Sequence, residues 1–283
     1  MDRRSFVKTC VGVAGAGALA ASGLGMAAGL AIPRKAGGAL IRYIGAHKVA
    51  GPAPRGVPYI PITLQNGVFV GRPVIPTMDG TGEVNVLDWY KYCGHAGAPG
   101  LQPGFTEDNS LKYFIAEEKL RAITPWYKDL LGQPVRPGDF PGDGFGAGFI
   151  WRSEGQSGPN VLTGVIIKAP AREIELASTI VPPAKAIEAE EFDYVKREIF
   201  HENFIGVSTF CTHFCCIPGY REAEALARPR DAWDNMFCTC HNSNYNHRQP
   251  VAYTFSPEVV GGAEEGGFDP LLTRQSAGGG GGH

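Results

Sequence analysis

Five of the seven cysteines in this chain of 283 residues fall within thirty positions, and two histidines lie among them. They form two short segments, Cys211-Thr-His-Phe-Cys-Cys216 and Cys238-Thr-Cys-His241. Each segment offers a cysteine and a histidine at close spacing, so two loops brought together present two thiolates and two imidazoles. Clusters of this kind hold metals or form disulfides, and the fold therefore has to bring these loops to one place.

The donor set of these two loops is compatible with more than one metal centre. A tetrahedral zinc site with two cysteine and two histidine ligands is stereochemically possible. A c-type haem is excluded because the sequence contains no Cys-x-x-Cys-His. A Rieske 2Fe-2S cluster also fits, since two cysteines hold one of its irons and two histidines hold the other.

The two segments resemble the boxes of the Rieske iron–sulfur protein family, in particular the subunit of cytochrome bc complexes. The family's boxes run Cys-Thr-His-Leu-Gly-Cys and Cys-Pro-Cys-His-Gly-Ser. The resemblance implies a disulfide between Cys216 and Cys240, a pair that a zinc site leaves unexplained. The implied ligands of the two irons are Cys211 with Cys238 and His213 with His241.

Two hydroxyl residues after the second box bear on the function. Ser243 and Tyr245 fall where high-potential members of the family carry hydroxyls that hydrogen-bond to sulfur. Such bonds stabilise the reduced cluster and raise its potential. The resemblance therefore implies that a quinol, hydrogen-bonded to the imidazole of His241, gives an electron that passes to a c-type cytochrome. The chain would be the electron-transfer subunit of a quinol:cytochrome c oxidoreductase of a respiratory chain, with a cytochrome b subunit as partner.

The sequence also departs from the family pattern. Cys215 and Asn242 stand where the family has glycine, and Arg221–Asp234 looks like an insertion between the boxes. The family's Gly-Pro-x-Pro loop has no clear counterpart after the second box, where Gln249-Pro250-Val251 is the nearest candidate. Either Cys215 or Cys216 is able to pair with Cys240 on chain position alone, and a bridge from Cys215 to Cys93 is a further option.

The N-terminus predicts a membrane anchor. Residues 10–32 carry no charge, and as a helix they span about 35 Å, enough for a hydrocarbon core of about 30 Å. The preceding Arg3-Arg4-Ser5-Phe6 resembles a twin-arginine export signal, the alternative being an ordinary secretory signal. We expect residues 1–32 to be a retained single-pass anchor in the cytoplasmic membrane, with the rest of the chain on the periplasmic side.

The remainder of the chain predicts an all-β fold. With 39 glycines and 22 prolines, short β-like runs alternate with turns. One helix is expected over 183–200. The resemblance implies a Rieske-type antiparallel β-sandwich with a small cluster-binding subdomain. The expected organisation is a flexible linker at 33–57, a head at 58–260 with its cluster-binding subdomain at 204–250, and a low-complexity tail at 261–283.

Other functions compete with quinol oxidation. A Rieske subunit of an exported molybdenum oxidoreductase, such as arsenite oxidase, would carry the same boxes and the same export signal. A structural zinc module would use the same ligands without electron transfer. Nucleic acid is not an expected partner, because 26 basic against 28 acidic residues give a formal net charge of −2.

Overall fold

Short antiparallel strands dominate the architecture. A computed structural model of the chain describes residues 40–93, 110–115, 125–151, 162–220 and 234–255. The strands within them are β1 (Ile41–Ala50), β2 (Ile62–Gln65), β3 (Val68–Gly71), β4 (Val74–Pro76), β5 (Glu83–Asn85), β6 (Lys112–Tyr113), β7 (Gly146–Trp151), β8 (Leu162–Lys168), β9 (Phe204–Ser208), β10 (Gly219–Tyr220), β11 (Met236–Cys238) and β12 (Ser243–Phe255). At this level the predicted all-β fold is confirmed.

The strands form two four-stranded sheets and two hairpins. One sheet has the order β1-β12-β11-β10, and the other has the order β6-β7-β8-β9. The hairpins pair β2 with β3 and β4 with β5. Every one of these described pairings is antiparallel, and three of them, β2 with β3, β4 with β5 and β11 with β12, are joined by short turns.

A short extended segment, Val57–Ile60, connects the two large sheets. On one side Ala46 donates its N–H to the Val57 carbonyl (2.9 Å), and on the other side Ser208 donates to the Pro58 carbonyl (2.9 Å). Ile60 in turn donates to the Gly206 carbonyl of β9 at 2.9 Å. The segment thus satisfies the edges of β1 and β9 together, so that neither edge is left open to solvent.

The core between these elements is rich in aromatic side chains. Tyr59 and Phe200 meet edge to face with ring centroids 4.9 Å apart, and Phe69 lies 4.8 Å from Phe204. Aromatic pairs in these arrangements add stabilisation beyond the area that they bury. The largest fully buried side chains are Trp151, Tyr43, Tyr59, Tyr90, Tyr92, Tyr113, Tyr245, Tyr253, Phe69 and Phe149.

The helix α1 spans Ala189–Glu198, which is shorter than the predicted 183–200. It begins later because Lys185 pairs with Ala252 of β12 through two backbone hydrogen bonds, of 2.9 and 3.0 Å. A residue whose N–H and C=O are used by a strand cannot also supply a helical turn. Val195 is fully buried on the predicted apolar face, and Ile199 is buried just beyond the last turn. The remaining described helices are 3₁₀ turns at Val86–Cys93, Lys128–Leu130, Pro137–Asp139 and Ala171–Glu173.

The linker predicted at 33–57 is wrong over its second half. Residues 41–50 form β1 and pair with β12 along its whole length. Ala53 and Val57 are almost completely buried, at 1% and 0% exposure. The prolines and glycines here belong to a packed segment and not to a spacer, because their backbone groups contact both the sheet and the two Cys/His loops. The head therefore begins near residue 40, inside the compact unit Ala39–His283.

Several predicted segments lie outside the described residues. These are the anchor at 10–32, the first part of the linker at 33–39, most of the insertion between the boxes at 221–233 and the tail at 261–283. No helix in the described part of the chain is long and apolar enough to cross a membrane.

Candidate metal centre

The first Cys/His loop, Cys211–Cys216, leaves β9 and folds back on itself. Cys215 donates its N–H to the Cys211 carbonyl (2.9 Å), and Cys211 donates to the Cys216 carbonyl (2.8 Å). The turn needs a left-handed residue, and Cys215 takes it with φ +55°. Cys211, Thr212 and His213 are buried, whereas Phe214 is 43% exposed. The loop is therefore held inside the fold with one aromatic ring at the surface.

The second loop joins β11 to β12 and repeats the same local design. Cys238 and Ser243 are opposite each other in the ladder, and Asn242 donates its N–H to the Cys238 carbonyl at 2.9 Å. Asn242 supplies the left-handed residue with φ +61°. Thr239, Cys240, His241 and Asn242 are exposed. Both glycine positions of the family pattern are thus left-handed here, although both carry side chains, and asparagine tolerates this conformation better than cysteine.

Cys211 and Cys238 form a buried pair of free thiols. A hydrogen bond from the Cys238 thiol lowers the pKa of Cys211, and the same bond raises the pKa of Cys238 because its proton is held between the two sulfurs. Backbone N–H groups of His213 and Phe214 also act on the Cys211 sulfur. Those of Cys240 and His241 act on the Cys238 sulfur. These donors stabilise negative charge on sulfur, which a metal-bound thiolate carries.

The two predicted imidazole ligands also meet. The rings of His213 and His241 are nearly perpendicular, at 86°, with centroids 4.5 Å apart. The Nδ1 atom of His213 is buried and has no hydrogen-bond partner. Burial lowers the pKa of His213, and the neighbouring His241 lowers it further. A neutral imidazole with a free, buried nitrogen is the form of histidine that binds a metal.

Cys216 and Cys240 are joined in a disulfide, with Cα atoms 6.6 Å apart. This is the pair that the family resemblance implies, and it ties the two loops together next to the thiols. Cys215 is disulfide-bonded as well. The predicted partner Cys93 has a side chain outside the described residues, so the bridge between them stays a prediction.

The hydroxyls of Ser243 and Tyr245, both predicted to hydrogen-bond to sulfur, make different contacts. The Tyr245 hydroxyl is 2.9 Å from the Cys211 sulfur, and the side chain is fully buried. The Ser243 hydroxyl accepts a hydrogen bond from the Ala53 N–H at 3.2 Å and interacts with the Tyr245 side chain. Tyr245 therefore contacts the sulfur itself, whereas Ser243 connects the second loop to the segment that covers it.

That covering segment, Gly51–Gly56, was assigned to the linker by sequence reasoning. Thr212 accepts a hydrogen bond from the Arg55 N–H (3.3 Å) and donates its hydroxyl proton to the Arg55 carbonyl. Gly51 approaches the second loop so closely that a side chain there would collide with the Asn242 carbonyl, 2.6 Å from the position of its Cβ. One segment thus rests on both loops.

A signal for the covering segment is present in the sequence. Gly51-Pro52-Ala53-Pro54 has the Gly-Pro-x-Pro form that was sought after the second box near Gln249-Pro250-Val251. It precedes both boxes instead of following them. The strand pairing explains how this works, because β1 lies against β12 and delivers residue 51 beside Ser243. The motif is therefore absent from the position after the second box where the family pattern has it.

The spacing of the donor atoms bears on how many metal ions the site would hold. A tetrahedral zinc with bonds of about 2.0–2.3 Å holds its donor atoms about 3.3–3.8 Å apart. In the described part of the chain, the donor atoms gathered within 4.8 Å of one another are those of Cys216, Cys238 and Cys240, two of which are in the disulfide. The four predicted ligands instead form a thiol pair and an imidazole pair. This arrangement fits a 2Fe-2S group, whose irons are each held by one pair.

No family model, curated protein or solved structure matches this chain.

Proposed function

We propose that this chain is a high-potential Rieske protein, the electron-transfer subunit of a membrane complex of cytochrome bc type. It would pass an electron from quinol to a c-type cytochrome. The observation that carries the proposal is the pairing of free donors, thiol with thiol and imidazole with imidazole, in two loops joined by a disulfide. When bound there, a 2Fe-2S cluster accepts and releases one electron.

The fold supports a Rieske-type interpretation in which the site lies at one end of the sheet β1-β12-β11-β10, where the chain enters it from the second sheet. The second loop is the turn between β11 and β12, and the first loop follows β9 of the other sheet. The proposed cluster-binding part therefore includes β1 and residues 51–56 as well as the boxes. Its residues are not confined to the predicted range 204–250.

Hydrogen bonds to sulfur support a high reduction potential. The Tyr245 hydroxyl and the backbone N–H groups of His213 and Phe214 all act on the Cys211 sulfur. Such donors stabilise the additional negative charge of a reduced centre more than they stabilise the oxidised state. A high potential suits acceptance of electrons from quinol and disfavours low-potential roles.

The exposed side of the site supports contact with quinol at His241. His213 is 4% exposed, whereas the ring of His241 lies at the surface beside Phe214. The Phe214 ring is 4.3 Å from that of His213 and 5.4 Å from that of His241, centroid to centroid. An apolar ring beside an exposed imidazole suits an amphipathic quinol held in a cytochrome b subunit.

The proposed anchor at 10–32 limits how far the head can move. Since β1 begins at Ile41, the chain between anchor and head is residues 33–40 and not 33–57. Eight residues reach at most about 28 Å when fully extended. Movement of the head between quinol site and cytochrome would have to fit this reach.

Isolation of the complex tests the proposal and its main competitor. The full chain, carrying an affinity tag, would be purified from detergent-solubilised membranes of its own cell. We expect b-type haem to copurify and the preparation to reduce a c-type cytochrome with quinol. Molybdenum in place of b-type haem, without quinol oxidation, would reject this proposal in favour of an exported molybdenum oxidoreductase.

A further inference from the structure

Arg55 is a buried cation in the segment that covers the two loops. Its side chain is 7% exposed, and its guanidinium carbon lies 5.5 Å from the centroid of the Phe255 ring. Tyr43, Tyr92 and Tyr253 lie near enough to interact with its charge. Tyr43 and Tyr253 stack at 5.3 Å, and Tyr92 packs edge to face on Phe255 at 6.0 Å. The guanidinium is thus surrounded by aromatic rings.

No described side chain balances this charge. The Nε and Nη2 atoms of Arg55 are buried and make no hydrogen bond. No carboxylate among the described residues forms an ion pair with it. Burial raises the pKa of Tyr43, Tyr92 and Tyr253, so these phenols remain neutral. A buried charge without a counter-charge is costly, and cation–π contacts offset only part of that cost.

The thiol pair of the site is a source of negative charge that is connected to Arg55 through one residue, Thr212. The Arg55 backbone is hydrogen-bonded through both its N–H and its C=O to Thr212, which lies between Cys211 and His213 in the chain. Tyr92 interacts with the charges of both Arg55 and Cys211. Arg55 and Cys211 therefore both act on one buried phenol, in a part of the fold where burial weakens screening by water.

We infer that Arg55 is the buried counter-charge of the thiolates at this site and that it raises the affinity of the site for an electron. This inference rests on the proposed function, because it concerns the centre that the thiolates would hold. Reduction adds one negative charge, and a fixed cation stabilises the reduced state more than the oxidised state. For two unit charges on the order of 10 Å apart in a partly buried medium, Coulomb's law gives a change in such an equilibrium on the order of tenfold.

The test is a redox titration of the full-length protein with its charge at position 55 removed or moved. Arg55→Met removes the charge and keeps most of the volume, Arg55→Gln removes it and keeps a polar end, and Arg55→Lys keeps it. Arg42→Met is the matched control, since Arg42 is 52% exposed and paired with Glu191. Iron content and the optical spectrum establish that each variant carries the centre before its midpoint potential is measured.

We expect the Met and Gln variants to bind an electron about tenfold more weakly, which is about 59 mV lower in midpoint potential. The Lys variant should lie much closer to the wild type, and the Arg42 control should not move. An unchanged potential in both neutral variants, with iron retained, would overturn the role of Arg55 and leave the proposed function standing. A wild-type protein without iron would overturn both. If both neutral variants lost iron, the Lys variant would decide the matter. Loss of iron from Arg55→Lys as well would overturn the charge role, and retention of iron by Arg55→Lys would support it.

Discussion

The two Cys/His loops have nearly the same backbone and opposite surroundings. Each closes with an N–H to C=O bond across four residues, at 2.9 Å in both, and each uses a left-handed residue that is not glycine. The first loop buries its cysteine, threonine and histidine, whereas the second exposes everything between Cys238 and Ser243. The backbone of each loop is thus set locally, whereas the exposure of its side chains is set by what covers the loop.

The covering segment explains this difference. Residues 51–56 bond to the side chain of Thr212 in the first loop but contact the second loop only at its end, at Asn242 and Ser243. The first loop is therefore held by hydrogen bonds to this segment, and the second leaves His241 exposed. The predictions below test this division, beginning with the largest expected effect.

Loss of either free thiol should abolish metal binding equally in the two loops. We expect Cys211→Ser and Cys238→Ser each to lose the bound iron, because each removes one of the two thiolates. Iron analysis of the purified proteins measures this. Cys240→Ser is the control, since it breaks the disulfide but leaves both thiols in place, and it should retain iron when prepared without oxygen. Retention of iron by either thiol variant would refute the ligand assignment.

Loss of the disulfide should destabilise the fold, and it should do so equally whether the cysteine of the first or of the second loop is replaced. Cys216 and Cys240 are 24 residues apart in the chain, and closing a loop of that length contributes about 3 kcal/mol. Denaturant unfolding of Cys216→Ser, Cys240→Ser and the double variant measures the change in the free energy of unfolding. The double variant should lose no more than either single variant. Additive losses would show that the two cysteines act separately.

A matched pair of threonines tests the covering segment most directly. Thr212 and Thr239 each follow a ligand cysteine, yet Thr212 is fully buried against Arg55 and Thr239 is exposed. Thr212→Val leaves a buried N–H and C=O without partners and should cost about 1–3 kcal/mol of unfolding free energy. Thr239→Val should change it by less than about 0.5 kcal/mol. Equal effects would mean that the covering segment does not hold the first loop.

Replacement of the left-handed residue of the exposed loop should change the free energy of unfolding least. Asn242 has φ +61°, a conformation that costs an ordinary side chain about 1–2 kcal/mol and costs glycine nothing. We expect Asn242→Ala to lower the free energy of unfolding by about 1 kcal/mol and Asn242→Gly to leave it unchanged or slightly higher. Thermal unfolding resolves this order. A more stable alanine variant would show that the turn does not have this backbone.

Much of the site was predictable because its information is local. The spacing of Cys211, His213, Cys238 and His241 identified four donors that the structure brings together as two pairs. Strands such as β3 and β9 overlap the expected short β-like runs, since their residues are mostly apolar and bounded by turns. Even the left-handed backbone at Cys215 and Asn242 was indicated by the glycines that they replace.

The features that the sequence did not reveal depend on contacts between residues far apart in the chain. β1 was predicted to be part of a linker because the stretch that follows it is rich in glycine and proline. Its partner strand, β12, is about 200 residues away in the chain. The covering segment precedes both boxes, whereas the family resemblance places a Gly-Pro-x-Pro loop after the second box. Nothing in the sequence indicated that the charge of Arg55 is buried. Its burial against aromatic rings of β1 and β12 arises only when the sheet is assembled.

The most direct test of the account is the identity of the metal in the full-length protein, purified without oxygen. Iron and acid-labile sulfide would be quantified, and the reduced protein examined by low-temperature EPR. The account predicts equal amounts of iron and sulfide, about two of each per chain. It also predicts a rhombic signal whose average g value lies below that of the free electron, as expected for histidine ligation. A colourless protein that contains zinc and gives no EPR signal would contradict it.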